Sequence, residues 1–227
     1  MGNAIGELLP LAVALAVGPL PIIAVMLILA SEGARSKGVA FVGGRLVGLV
    51  LLVGAALVIF SAIDDPTLGH RGHPSPVVSI LRIAVGVVLI GLAARMWRRH
   101  RAEPDGQPSP LVRRVDGLTV RGSFGMGLAV TAIDPASISI GILVGLDIAA
   151  ARLPVLADVL FVVAFVLAST LTVTGPVLAY LAGGEVAQRR LTGLKGWLLT
   201  NEKTVMMVLF VLIGAMLIGR GIRELAG

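Results

Sequence analysis

At 227 residues the chain is 56 % hydrophobic and 14 % charged, with a mean hydropathy of +0.97, where an ordinary soluble domain carries about 25 % charged residues. It has no cysteine, which excludes disulfides, thiolate metal sites and thiol redox chemistry. Its net charge of +6 and pI near 11 would suggest nucleic acid in a soluble protein, but the basic residues cluster at the ends of apolar runs, where anionic headgroups explain them and no nucleic acid is needed.

A bilayer core is crossed by about 20 apolar residues. Six runs meet that length, 8–30, 39–62, 76–97, 124–147, 154–182 and 204–223, so the fold class is an all-α polytopic membrane protein. The first run has no basic region before it and reads as a transmembrane helix, not a cleaved signal. It carries Gly18-Pro19-Leu20-Pro21. A proline leaves the carbonyl four residues earlier without its helical donor, so Pro19 and Pro21 free the carbonyls of Leu15 and Val17. No hydroxyl lies near them in this helix, so water, substrate or the facing helix 4 is expected to answer.

The second run holds Arg45, about 10 Å inside the helix at 1.5 Å per residue. Its guanidinium either snorkels to the headgroups or pairs with Asp134 or an anionic substrate group. Gly44 and Gly48 in this run, like Gly141 and Gly145 in the fourth, put small residues four apart, which lets helices approach closely within the bundle or across a homodimer. After it, His70 and His73 lie three apart without a third ligand, so no metal is expected. The connection 98–123 combines Arg98, Arg99, Arg101, Arg113 and Arg114 with Pro104, Pro108 and Pro110 and reads as a basic loop.

Asp134-Pro135 interrupts the fourth run, eleven residues in from Phe124. A carboxylate at a bilayer centre costs roughly 2.5–3.5 kcal/mol and a helix-interior proline about 3 kcal/mol, so the pair marks a polar cavity. Pro135 frees the carbonyl of Thr131, and Pro176 in the fifth run frees that of Thr172. Thr131, Asp134, Ser137, Thr170 and Thr174 are therefore expected to form a polar seam between helices 4 and 5, with Ser139 a further hydroxyl beside it. Asp134 is also a candidate for carrying a proton. Two broken helices in corresponding positions point to a transporter's substrate and ion pathway, here Gly18, Pro19, Pro21, Arg45, Thr131, Asp134, Pro135, Ser137, Ser139, Thr170, Thr174 and Pro176.

Shifting the second half back by 116 positions places Pro135 on Pro19, Asp134 on Gly18, and 155–178 on 39–62, while the third helices fall out of step. The chain is read as a 3+3 inverted repeat with broken helices 1 and 4: residues 1–97 form one three-helix unit, 98–123 a cytoplasmic loop, and 124–227 the second unit. Pro19 and Pro135 should then lie close together near mid-membrane. With the N-terminus outside, 14 of the 19 basic residues fall on the inner side, including the short connections after helices 1 and 5, so both termini face outward. No Ser/His/Asp set, acidic metal cluster or phosphate loop is present, so neither an enzyme nor a cofactor is indicated.

Val17-Gly-Pro-Leu-Pro-Ile-Ile-Ala-Val-Met, a basic turn ending in Gly38, and Phe41 to Gly48 resemble the opening of the lysine-exporter (LysE) superfamily. Leu191-Thr-Gly-Leu-Lys-Gly-Trp-Leu-Leu-Thr-Asn201, Val205, and Leu217-Ile-Gly-Arg-Gly-Ile222 are similar to the last loop and helix of its GAP family, the sulfolipid-addressing or peptidoglycolipid-addressing proteins of actinobacteria. The resemblance covers nearly the whole chain apart from 64–76 and 98–116. It departs at helix 4, where the family's Asn-Pro-Lys is replaced by Asp134-Pro135-Ala136. The resemblance implies a bacterial inner-membrane protein that exports small solutes or moves cell-envelope glycolipids, with membrane lipids as its surroundings. Two other roles fit the sequence: an accessory protein for a separate lipid exporter, and a membrane-embedded transferase on lipid-linked sugars. The transferase lacks a second acid or base near Asp134.

Overall fold

The computed structural model describes residues 10–62, 76–102 and 117–226. His70, Arg71, His73 and most of the 98–123 connection lie outside these residues. The described chain is helical: α1 Pro10–Ala16, α2 Pro19–Leu29, α3 Ala34–Ala62, α4 Pro76–Ala102, α5 Val120–Ile133, α6 Pro135–Ala150 and α7 Val155–Ala226. Four stretches are long and apolar enough to cross a membrane singly: α3, the 78–98 part of α4, and two arms of α7, Val155–Gly183 and Lys203–Ala226. Two further spans are bent pairs, α1–α2 at 43° and α5–α6 at 73°. Their outward faces are apolar, with Leu51, Val58, Val155 and Leu171 all exposed. This is the surface that a helix in hydrocarbon requires, because its backbone groups are satisfied internally.

Several boundaries differ from the sequence reading: α3 starts at Ala34, five residues before 39, and α4 continues to Ala102, into the stretch read as a loop from 98. Helix 4 begins earlier than residue 124, because the Thr119 side chain caps α5 by accepting the Gly122 N–H at 3.1 Å. The connection after helix 5 is helical, since nothing from 184 to 202 is a proline that would stop it. As one straight rod, the 72 residues of α7 would run about 108 Å. Instead Val177 packs on Gly38, near the start of α3, while Gly221 packs on Ser79 of α4. Glu224 and Asp147, near the end of α6, share Arg82. The two arms therefore run in opposite directions, and the chain turns back between them.

Glycines set which helices pair. Along α3 and the broken fourth span the contacts advance together: Gly44 meets Phe124, Gly48 meets Thr131, Gly141 meets Leu52, and Gly145 meets Ala56. The two are parallel. A Cβ on Gly44 would strike the Phe124 carbonyl, and one on Gly145 would lie 2.5 Å from the Ala56 Cβ. In α4 and the second arm of α7 the order reverses, Gly86 meeting Gly214 and Ser79 meeting Gly221, so these are antiparallel. The first span runs parallel to the first arm of α7. Leu11 and Leu15 share one core cluster with Val162 and Val166, while Ile23 and Leu29 share another with Val173 and Val177. All these glycine contacts lie within the monomer, which accounts for both small-residue pairs.

Candidate functional site

Those two clusters are separate, and each of four helices crosses from one to the other through a gap. In the first span the gap lies between Leu15 and Ile23 and contains Gly18-Pro19. In α3 it lies between Val42 and Leu49 and contains Arg45. In the fourth span it runs from Val130 to Ala136 and contains Thr131 and Asp134. In α7 it lies between Val166 and Val173 and contains Ser169, Thr170 and Thr172. Leu20 and Leu46, partly buried, pack against both clusters, and beside them buried polar side chains gather at one level as a polar layer. Arg45, Thr131, Asp134, Ser169 and Thr170 are each no more than 2 % exposed.

The two breaks have one backbone shape. Gly18 (φ −52°, ψ 119°) and Asp134 (φ −71°, ψ 114°) are each extended residues followed by a proline that opens the next helix, the position where proline's missing N–H is harmless. They differ in how the new helix end is capped. Asp134 accepts hydrogen bonds from the Ala136 N–H at 3.3 Å, the Ser137 N–H at 3.1 Å and the Ser137 hydroxyl at 2.6 Å. Gly18 has no side chain to cap α2. Pro19 and Pro21 also remove two of that end's N–H groups.

Two carbonyls at the first break are answered from within the protein. Leu15 takes the Gly18 N–H at 3.3 Å, and Ala16 accepts the hydroxyl of Thr172 in α7. Of the two carbonyls expected to need water, substrate or helix 4, that of Leu15 is served by its own chain, and helix 5 reaches the Ala16 carbonyl between them. The expected seam between helices 4 and 5 also takes another form. Thr131 turns back to the Gly127 carbonyl (3.0 Å), and Thr170 to those of Val166 (2.7 Å) and Leu167 (3.2 Å). The hydroxyls satisfy their own helices. Ser137 is buried with Asp134, Ser139 and Thr174 are half-buried, and Pro176 sits inside α7 without ending it.

Arg45 is the group the layer leaves unanswered. Its side chain is 1 % exposed, so it does not snorkel. Nε and both terminal nitrogens are buried without a hydrogen-bond partner. The Asp134 oxygens in the same layer are engaged in capping α6. A buried guanidinium carrying unused donors is costly, and it is arranged to receive an anionic or carbonyl oxygen.

Sequence reasoning missed a second charged group. Arg82 of α4 bridges Asp147 of α6 and Glu224 of α7, and Ser79 donates to Glu224 at 2.8 Å. The side chains of Arg82 and Asp147 are 6 % and 7 % exposed. The signal was present: Arg82 stands six residues inside its apolar run, where an ionisable residue asks for a partner. Among the described residues no group of three or more His, Cys, Asp or Glu gathers as a metal site.

Residues 8–223 match the family described as Sap, sulfolipid-1-addressing protein (SfLAP). The chain belongs to the SfLAP family. No curated protein and no solved structure matches it. Membership fits a multi-pass helical membrane protein concerned with lipid addressing. The SfLAP match covers both breaks, the polar layer and, of the Arg82 bridge, Ser79, Arg82 and Asp147.

Proposed function

We propose that this chain is itself a carrier, and that the headgroup of its cargo passes through the polar layer between the two helix breaks. The observation behind this reading is Arg45, a fully buried cation with unused donors at the level where both helices are broken. A sulfolipid, the class named in the family's description, bears an anionic headgroup that such a cation would recognise. The bare N-terminus of α2 adds a weaker attraction for negative charge.

The helix pairing supports a 3+3 inverted repeat of LysE-superfamily type. Exchanging each helix with the one three places on turns the parallel pair 1–5 into the parallel pair 4–2, and returns the antiparallel pair 3–6 to itself. With the basic connections cytoplasmic, both termini lie outside the bacterial inner membrane. A single cysteine at Gly106, in a chain with none of its own, should react with an impermeant thiol reagent only after cells are opened. Reaction in intact cells would reverse the orientation.

Purified protein in liposomes should move an anionic glycolipid across the bilayer with no partner. A requirement for a second protein would replace the carrier by an accessory role. Asp134→Asn keeps an oxygen to cap α6 but cannot exchange a proton. With Asp134 as the coupling group, flux in this variant should lose its pH dependence while insertion stays normal. A wild-type pH profile would leave Asp134 as the cap of α6 and remove proton coupling from the proposal.

A further inference from the structure

We infer that a groove between α3 and α5 is a lateral binding site for one acyl chain of an anionic membrane lipid. The inference rests on the carrier reading and adds where the lipid's apolar part lies and from which side it enters. The groove holds about 550 Å³ and is lined almost entirely by apolar atoms. Its walls are Gly48, Leu51 and Leu52 of α3 and Gly125, Leu128, Ala129 and Ala132 of α5, with Thr131 beside them. On α5 the four wall residues follow a spacing of three, one and three, which is a single helical face.

Three observations identify the occupant. Gly48 is the midpoint of α3, so the groove opens at the depth of the hydrocarbon, where an exposed Leu51 already faces lipid. The space is made by a missing side chain: a Cβ on Gly125 would meet nothing within 4 Å, in contrast to Gly44 and Gly127, whose Cβ positions are taken by backbone. The groove also reaches the polar layer. Thr131 belongs to both, and Arg45, three residues before Gly48 on the same face of α3, is the buried cation with free donors. A chain in the groove and an anionic head toward Arg45 together describe one amphiphile held sideways. A small water-soluble solute would have no use for an opening toward lipid.

The geometry of Gly125 gives a test, because a Cβ there meets no atom within 4 Å and a side chain starts into open space beside the groove. The protein is placed in vesicles containing a phosphatidylglycerol with a photoactivatable diazirine on its acyl chain, and labelled peptides are mapped by mass spectrometry. Labelling should concentrate on 48–52 and 125–132. It should fall about tenfold in Gly125→Trp, since excluding even two methylenes is worth about that factor, and persist in Gly125→Ala. Ala132→Leu provides a second occluding change should the tryptophan variant not fold. Arg45→Met should reduce labelling by the anionic probe toward that of a phosphatidylcholine analogue. Labelling spread evenly over lipid-facing residues such as Val58 and Leu171, and unchanged by both occluding variants, would mean annular lipid only and overturn the inference. Focused labelling without transport in liposomes would sink the carrier reading but leave the site standing.

Discussion

Arg45→Met is expected to be more stable than the wild type and to transport nothing. The wild-type guanidinium is desolvated and its three nitrogens lack acceptors. Methionine fills a similar length of α3 without that penalty. Replacing buried ionic groups by well-packed apolar ones is neutral or stabilising by about 1–4 kcal/mol. The remaining anion is not stranded, because Asp134 keeps its three capping hydrogen bonds. Thermal unfolding in detergent reads the stability, and flux in liposomes reads the function. A variant that loses both would make Arg45 a structural residue. One that keeps wild-type flux would remove the guanidinium from the cargo pathway.

Arg82→Ala should fail in the opposite way, through loss of the fold. One guanidinium joins α4 to both α6 and α7, with Ser79 holding the second oxygen of Glu224. Removing one member of a buried ionic group costs about 3–5 kcal/mol, mainly because its partners stay buried. The triple change Arg82→Met, Asp147→Asn, Glu224→Gln should recover much of that loss, since it removes the charges together. Unfolding of all three proteins under one set of conditions decides it. A single variant within about 1 kcal/mol of wild type, the range of an exposed pair, would show that the bridge adds little.

What the sequence disclosed was set by local chemistry. Pro19 and Pro135 break their helices wherever they are placed, because a missing N–H and a ring clash act within one turn. Both breaks therefore fell where they were read. The caps by Thr119 and Asp134 are equally local, yet starting helix 4 at residue 124 passed over the first, and reading Asp134 as a proton carrier passed over the second. The rest depends on which way a helix face turns and what stands opposite. Depth along α3 could not distinguish an Arg45 that reaches the headgroups from one pointing into the bundle. The hydroxyl of Thr172 finds Ala16 across 156 positions of sequence. Arg82, six residues inside its apolar run, asks for a partner, but Asp147 at the end of another run passes alone for a headgroup anchor, and nothing local joins the two.

The glycine contacts bear on how such a molecule can move. Gly44, Gly127 and Gly145 bring α3 and the fourth span together with no room for a single carbon, and close-packed surfaces of that kind shift as a body or not at all. Gly86, Gly214 and Gly221 tie α4 to the second arm of α7 in the same way. Each of these welds joins a helix from 1–97 to one from 124–227. The two halves of the sequence are therefore clasped like interlaced fingers and cannot rock past one another as blocks. Among the described residues the elbows at Gly18 and Asp134 lie outside these welds, so an opening that kept the welds would take the form of bending at two helices within a fixed frame.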